Sequence, residues 1–303
     1  MSKLKNKQDF LLLGNGEFAK AAYTSAIDNG CSISTVICSK DESQVGYWYP
    51  SGNINSKVYK ISNINDKEFY NVLRETSVSV AFVIGWTQLI REPVLSMFNW
   101  YGLHCTLLPY GRGRAPIPNT ILDNKINFGG VSFFRLTSGV DDGDLIFQKK
   151  IKLDERETAT SLYYKIFECV YANFSKILHN IENGNLVSWK QAGEPSYYPK
   201  RTPDMSKICF KTMHGELIDR MVRAMSDPFP NAFVYVKTEG KLRKISFKSV
   251  CILDKPFPDN AEVKFTSERE IEVKTMDGVV LLLTISDKDE PFTEAECRIG
   301  VFV

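Results

Sequence analysis

The sequence has no long apolar run, and this absence excludes several classes of protein. No stretch approaches the roughly 18 consecutive apolar residues that a membrane-spanning helix needs. The apolar run nearest the N-terminus, residues 10–13, is too short for the core of a signal peptide and leads directly into a glycine turn. We therefore expect no membrane partner and a cytoplasmic location.

Paired cysteine motifs are also missing. The seven cysteines form no C-x-x-C pair. An odd number of scattered cysteines is typical of reduced thiols in a cytoplasmic protein, and not of a disulfide framework or a zinc site. The sequence predicts no metal.

The sequence also lacks an excess of positive or negative charge. Lys and Arg total 38 and Asp and Glu total 36 among the 303 residues, so the net charge is only +2. A protein that binds nucleic acid usually presents a concentrated basic face, because phosphate neutralisation dominates its affinity. We therefore predict no nucleic-acid partner.

The N-terminal part of the chain alternates strand and helix patterns. An apolar run reaches Gly14, a helical stretch covers residues 17–28, and a strand follows at residues 34–38. This is the opening of a doubly wound nucleotide-binding fold. The glycines of Gly14-Asn15-Gly16, with Ala19 in place of a third, favour a tight strand-to-helix turn over a dinucleotide site. No acidic residue closes the next strand at the distance that such a site requires.

The rest of the chain divides at a polar linker, residues 193–204. Before it, the α/β alternation continues; after it, a helix is followed by short alternating strands separated by turns, the rhythm of a small barrel. The predicted fold class is α/β, a Rossmann-like doubly wound sheet with a smaller C-terminal OB-like β-barrel domain, and the predicted domains are residues 1–193 and 204–303. The predicted strands before the linker also include residues 78–84, 102–105, 131–136 and 145–151, and the predicted helices residues 66–74 and 158–181.

One histidine and one acidic turn have the chemistry of a reactive site. His104 ends a predicted parallel strand, at the edge where ligands bind in open α/β sheets, and imidazole transfers protons near neutral pH. Asp141 and Asp142 lie in a turn flanked by Gly139 and Gly143. A carboxylate beside a histidine fixes its tautomer and supports its charged form. A core histidine with a satisfied hydrogen bond and a merely polar turn are the structural alternatives.

The motif His104-x-Thr-Leu-Leu-Pro-x-x-Arg-Gly-x-Ala-Pro-Ile resembles the signature of the folate-dependent formyltransferases. This family includes methionyl-tRNA formyltransferase and the sugar-nucleotide N-formyltransferases. Gly130-Val-Ser and Asp141-x-Gly resemble motifs that follow the signature. Arg201-Thr-Pro-Asp and Asp227-Pro-Phe-Pro resemble the entry to the C-terminal barrel of the family. The resemblance spans nearly the whole chain.

The resemblance implies a formyl donor and roles for several residues. The donor is 10-formyltetrahydrofolate, and no metal is involved. His104 corresponds to the acid that stabilises the oxyanion formed when an amine attacks the formyl carbon. Asp141 corresponds to its partner, which orients the imidazole and assists in removing the amine proton. The pterin is expected in a loop and in the residues before Asp141: Trp86, Thr87, Gln88, Leu89, Gly139 and Val140.

One position departs from the family pattern. The family has Asn-x-His, whereas this chain has Gly102 two residues before His104. Loss of one oxyanion donor typically costs about 10²–10³ in rate. Three explanations stay open: Thr106 or Asn119 substitutes, the enzyme is slow or uses a shifted mechanism, or a non-catalytic homologue only binds folate or nucleotide. A Cys105 nucleophile is disfavoured because neighbours on a strand point to opposite faces.

The acceptor is predicted from the segment after the second strand. The tRNA-directed members resemble one another in a basic, Arg-rich insertion at this place. The corresponding residues 39–57 of this chain carry only two lysines and no arginine. They offer instead three aromatic residues suited to stacking on a base or sugar, for which loop packing is the alternative. The sequence therefore favours a dTDP- or UDP-linked amino sugar over tRNA. Residues predicted to bind this acceptor are Tyr47, Trp48, Tyr49, Arg112, Arg114 and Arg201.

Two further expectations accompany the resemblance. The segments after residue 200 resemble the enzymes that formylate UDP-4-amino-4-deoxyarabinose more than the tRNA-directed ones, which implies a place in lipopolysaccharide or O-antigen synthesis. The C-terminal barrel is expected either to line the acceptor pocket or to form a homodimer contact.

Overall fold

A seven-stranded sheet forms the centre of the larger of two units in the chain. The computed structural model describes residues 8–42, 47–51, 55–123, 127–238, 241–258, 263–294 and 301–302. The N-terminal unit comprises residues 1–116, 128–152 and 163–199, and the C-terminal unit comprises residues 117–127, 153–162 and 200–303. The predicted domain boundaries at residues 193 and 204 stay a proposal.

The first elements of the N-terminal unit combine strands and helices along the chain, as the sequence pattern predicts. They are β1 (Asp9–Gly14), α1 (Gly16–Asp28), β2 (Ser32–Ser39), β3 (Lys57–Ile61), α2 (Lys67–Arg74), β4 (Val80–Ile84), a 3₁₀ turn (Val94–Ser96), β5 (Asn99–His104), β6 (Arg112–Gly113), β7 (Phe128–Arg135), β8 (Leu145–Lys152), α4 (Ala159–Glu182) and β9 (Tyr197–Tyr198). Helix α3 (Pro116–Leu122) lies between β6 and β7.

The strand order in the large sheet is β3-β2-β1-β4-β5-β7-β8. The first five strands are parallel, and β7 and β8 join antiparallel at one edge. A parallel strand with both faces covered needs a continuous apolar run, which is why residues 10–13 are all at most 1% exposed. The carboxyl ends of β1, β4 and β5 therefore share one edge, where the site is built.

The opening turn has a packing role. A Cβ atom on Gly14 would lie 2.6 Å from the Cβ of Ala19 on α1, so the helix packs directly onto this backbone. Ala19 thus fills the space beside the first glycine. This contact supports the interpretation of Gly14-Asn15-Gly16 as a tight strand-to-helix turn.

The C-terminal unit contains α5 (Gly215–Ala224) and an antiparallel sheet with the order β12-β13-β14-β11-β10-β15. Its apolar core includes Ile218 and Val222 of α5 together with Val234, Phe247 and Leu283 from the sheet. The strands are β10 (Ala232–Thr238), β11 (Lys241–Leu253), β12 (Val263–Ser267), β13 (Glu270–Lys274), β14 (Val280–Ile285) and β15 (Val301–Phe302).

The predicted fold class is confirmed: a mixed α/β sheet dominated by parallel strands precedes a smaller, all-antiparallel β-sheet. Strand β3 (Lys57–Ile61) is an addition to the predicted elements. The OB-like barrel character of the small sheet stays a prediction. Among the described residues, no helix is both long and apolar enough to cross a membrane.

Candidate active site

His104 is the last residue of β5 and lies at the carboxyl edge of the parallel strands. The residue is 6% exposed, and its Nε2 lies 2.7 Å from the carbonyl oxygen of Gly111. The chain reaches Gly111 through a loop pinned by Ser132, whose hydroxyl donates to the Thr106 carbonyl at 2.7 Å. The imidazole is therefore held by the same motif that predicts it.

Asp141 is brought to the other ring nitrogen. Its Oδ2 lies 3.6 Å from Nδ1 of His104 and accepts a hydrogen bond of 2.9 Å from the backbone N–H of Gly113. Asp141 has a φ of 50°, in the left-handed region that few residues with a side chain other than aspartate and asparagine adopt. Such a conformation persists where surrounding contacts determine it, and these cluster at functional sites.

Gln191 supplies the contacts that hold the Asp141 backbone. Its side-chain amide donates to the carbonyl oxygens of Asp141 and Gly143, both at 2.8 Å. Its Oε1 accepts from Nε and Nη2 of Arg112 at 3.2 and 2.7 Å. Gln191 therefore joins the acidic turn to the loop after His104. No motif in the sequence marks this residue, because its partners are about 50 and 80 positions away.

A two-stranded pairing fixes the loop that carries Gly111 and Gly113. Strand β6 pairs parallel with β9, and the Gly111 N–H donates to the Ser196 hydroxyl at 2.8 Å. Gly113 has a φ of 100°, and a Cβ there would lie 2.6 Å from the carbonyl oxygen of Tyr198. Only glycine fits this position, so the backbone donor to Asp141 depends on it.

The arrangement can hold and deliver a proton. Both nitrogens of His104 face oxygen acceptors, the Gly111 carbonyl and the Asp141 carboxylate, and only a protonated imidazole offers a proton to each of them. Hydrogen bonds in apo sites are often long and tighten when substrate binds, which fits the 3.6 Å separation between His104 and Asp141. The pair therefore has the parts of an acid-base site.

Gly102 occupies a space closed by apolar side chains. A Cβ built on Gly102 would lie 2.8 Å from Cδ2 of Leu136 and 3.2 Å from Cε1 of Phe134. Phe134 is the residue paired with Gly102 across β5 and β7. The place that an asparagine side chain would need at position 102 is thus filled by Leu136 and Phe134.

Introducing Gly102→Asn alone is expected to lower the free energy of unfolding by about 1–3 kcal/mol, since overpacking forces neighbours aside. Urea denaturation measures this change. Gly184→Asn is the matched control, because a Cβ at Gly184 meets nothing within 4 Å and its φ of 69° is one that asparagine tolerates. A Gly102→Asn protein as stable as the wild type would contradict the packing described here.

Thr106 and Asn119 are the residues considered as substitutes for the oxyanion donor that Gly102 lacks. The Thr106 hydroxyl already donates to the carbonyl oxygen of Tyr110 at 2.6 Å. Asn119 is buried on α3, in the C-terminal unit. Burial raises the pKa of the Cys105 thiol to about 12, so this thiol stays protonated and is no nucleophile.

The first predicted pterin loop follows the carboxyl end of β4, and the second is the turn between β7 and β8. Leu89 and Val140 are 57% and 44% exposed, and Thr87 and Gly139 are also exposed. The first loop is tied down by Gln88, whose Oε1 accepts from the Ile64 N–H at 3.0 Å and from Nε1 of Trp86 at 3.3 Å. Both loops thus present an apolar side chain on a fixed backbone.

The aromatic trio does not act as one surface. Trp48 is buried at 9% exposure and packs on Tyr23, with ring centroids 5.5 Å apart, so the packing alternative describes this residue. Tyr47 and Tyr49 instead flank the ammonium of Lys60, which lies 5.7 and 4.7 Å from their ring centroids.

The three arginines predicted to bind the acceptor belong to different units of the chain. Arg112 is engaged by Gln191 and by the hydroxyl of Tyr197 at 3.1 Å. Arg114 is exposed on the same loop. Arg201 belongs to the C-terminal unit, where it donates to the Met205 carbonyl at 2.8 Å.

A recess of about 510 Å³ opens elsewhere in the N-terminal unit. It is lined by Val78, Leu95, Met97, Trp100 and Arg135, among others, at the amino ends of β4 and β5. Ligands of open α/β sheets bind at the carboxyl ends of the strands, where His104 lies. We therefore place the site at His104 and not in this recess.

Two family models match the chain. Formyl transferase matches residues 7–178, and formyl transferase, C-terminal domain, matches residues 200–296. The first covers more than half of the chain, and it contains both His104 and Asp141. The protein belongs to the formyl transferase family, and formyl transfer is the class of reaction that this membership supports.

Individual relatives differ in their acceptors. The chain is 26% identical to a methionyl-tRNA formyltransferase of Lachnospira eligens over 253 residues, 78% of this chain and 76% of the relative. An N-formyltransferase from Helicobacter canadensis, in complex with folinic acid and dTDP-3-aminofucose, is 17% identical with a TM-score of 0.65, covering 92% of this chain and 100% of that one. Methionyl-tRNA formyltransferase from Clostridium thermocellum is 19% identical with a TM-score of 0.58, covering 82% and 95%. The two structures are similar to this chain in fold.

Proposed function

We propose that the protein transfers a formyl group from 10-formyltetrahydrofolate to the amino group of a dTDP- or UDP-linked amino sugar. The observation that carries the proposal is the pairing of His104 with Asp141 at the carboxyl edge of the sheet, with Nδ1 and Oδ2 3.6 Å apart. A histidine supported by a carboxylate can donate to a developing negative charge and take part in moving a proton.

The two residues divide this work. The donor supplies an activated formyl group when it is bound. Nε2 of His104 donates to the reacting oxygen by leaving the Gly111 carbonyl, and Asp141 at Nδ1 stabilises the positive charge of the ring. Asp141 also accepts the proton that the amine loses. As the new bond from the amine to the formyl carbon forms, the bond from that carbon to the donor nitrogen breaks, and tetrahydrofolate leaves with one proton. Gly113 and Gln191 keep Asp141 in position for both tasks.

The loops at residues 85–89 and 139–140 fit a folate. A pterin needs an apolar contact for its ring and backbone groups for its edge, and ligand sites in general combine apolar walls with a few fixed polar groups. Leu89 and Val140 are exposed apolar side chains, and Gln88 fixes the backbone of the first loop. These residues would hold the donor.

Charge pairing around residues 39–60 favours a small acceptor over tRNA. Lys40 is paired with Glu68 at 2.8 Å and Lys60 with Glu42 at 2.8 Å. The hydrogen bond from Lys60 lowers the pKa of the Glu42 carboxyl, which therefore stays charged and offsets the lysine. A surface that binds RNA phosphates would need these cations unpaired. The bound dTDP-3-aminofucose of the Helicobacter canadensis enzyme supports the same choice.

Binding of a stable stand-in for the donor tests the proposal. We expect 5-formyltetrahydrofolate to raise the melting temperature saturably, and dTDP or UDP to strengthen that binding. Met-tRNA is tested as the alternative ligand. If the protein binds Met-tRNA with an affinity that falls steeply as the salt concentration rises, the result would support a tRNA acceptor instead. Nucleotide binding without folate binding would contradict the proposed donor and favour a non-catalytic homologue.

A further inference from the structure

A thiol, an imidazole and a carboxylate lie together where α4 ends. Sγ of Cys31, which directly precedes β2, lies 3.6 and 3.8 Å from Nε2 and Nδ1 of His179. Nδ1 of His179 is 2.9 Å from Oε2 of Glu182. Because β2 begins just after Cys31, this cluster is at the amino edge of the parallel strands, the opposite edge from His104. It takes no part in the site proposed above.

A helix-end ion pair does not account for the whole cluster. The i,i+3 pair of His179 and Glu182 uses only one carboxylate oxygen. The other, Oε1 of Glu182, is buried with no hydrogen-bond partner among the described residues. An orphaned buried carboxylate oxygen is costly unless a cation or a proton satisfies it. The thiol beside it is a second group that a metal would use.

The spacing of the three groups matches a metal site. Zinc bonds of about 2.3 Å to sulfur and 2.0–2.1 Å to nitrogen and oxygen place tetrahedral ligands roughly 3.4–3.6 Å apart. The separation of 3.8 Å between Cys31 Sγ and Nδ1 of His179 is within about 0.2 Å of the upper end of this range. The 2.9 Å between His179 and Glu182 is shorter because a proton lies between them, and a metal that replaces this proton would widen the gap by about half an ångström.

We propose that Cys31 Sγ, His179 Nδ1 and the Glu182 carboxylate form a Zn²⁺ site. Water completes the coordination, since the His179 side chain is 43% exposed. Binding releases the thiol proton to solvent, and the imidazole proton moves from Nδ1 to Nε2, so affinity rises with pH. The metal joins the start of β2 to the end of α4, 148 positions apart in sequence, and stabilises the N-terminal unit. The sequence predicts no metal because these ligands follow no spacing motif.

Titration with Zn²⁺ and with Co²⁺ tests the site on the full chain. We expect one equivalent to bind and Co²⁺ to give a thiolate charge-transfer band. At about 100 times Kd, Zn²⁺ should raise the melting temperature by about 5 °C. Cys31→Ser should abolish the band, and Glu182→Gln should weaken binding by at least about 10–100-fold. Cys251 is an exposed cysteine on β11, and Cys251→Ser should change neither the charge-transfer band nor the affinity for the metal.

Glu182→Gln keeps the size of the side chain, so it separates ligand loss from misfolding. Its metal-free melting temperature is expected to match that of the wild type. Absence of stoichiometric binding in the wild type would overturn the proposal. A charge-transfer band that persists in Cys31→Ser, or an affinity unchanged in a folded Glu182→Gln, would also overturn it.

Discussion

Replacing His104 by glutamine is expected to reduce kcat for formyl transfer by about 10²–10⁴-fold, the usual contribution of a positioned acid or base. Glutamine can still donate to a reacting oxygen, but it cannot carry the charge that Asp141 stabilises at Nδ1. The loops proposed to hold the donor are untouched, so affinity for 5-formyltetrahydrofolate should stay within a few-fold of the wild type.

His214→Gln is the matched control for this experiment. His214 is 64% exposed and contacts Asp277 in the C-terminal unit, so the same exchange there should leave kcat unchanged. Steady-state kinetics with a melting curve for each variant separates loss of chemistry from loss of fold. A His104→Gln enzyme with the turnover of the wild type would refute the role proposed for the imidazole.

Asp141→Asn is expected to have an effect of similar size, about 10²–10⁴-fold on kcat. The amide oxygen can still accept from the Gly113 N–H, so the turn keeps its shape. The negative charge beside Nδ1 is lost, and with it both the support for imidazolium and the acceptor for the amine proton. The loss should therefore appear in kcat more than in donor binding.

The neighbouring residue provides the control. Asp142 is exposed and accepts from the Thr137 hydroxyl within the same turn, so Asp142→Asn removes one charge at almost the same place. We expect this variant to retain activity within a few-fold. Equal losses in both variants would mean that only the net charge of the turn matters, and would contradict a specific pairing of Asp141 with His104.

The sequence predicts the parts of the fold and site that depend on local pattern. Apolar runs that end in glycine or polar residues give β1, β4 and β5, and the strand ending places His104 at the edge where ligands bind. The glycine-flanked acidic turn gives Asp141, although its approach to His104 depends on a backbone with a φ of 50°. Periodicity and turn chemistry therefore predict where His104 and Asp141 lie, and their roles as a reactive pair are implied by the family resemblance.

Long-range side-chain contacts are what the sequence does not predict. Gln191 holds the Asp141 turn through partners far along the chain, and nothing in its own neighbourhood indicates this. The filling of the space at Gly102 depends on Leu136, and the burial of Trp48 depends on Tyr23. These contacts arise only when separate elements pack, so composition and spacing carry no sign of them.

A transfer assay tests the central proposal most directly. The purified protein is incubated with 10-formyltetrahydrofolate and, in turn, dTDP-linked amino sugars, UDP-linked amino sugars and Met-tRNA, and products are analysed by mass spectrometry. We predict that one class of nucleotide-linked amino sugar gains the mass of a single carbonyl group, that His104→Gln forms this product about 10²–10⁴-fold more slowly, and that Met-tRNA is not formylated. Formylation of Met-tRNA with no reaction on any amino sugar would contradict the proposed acceptor.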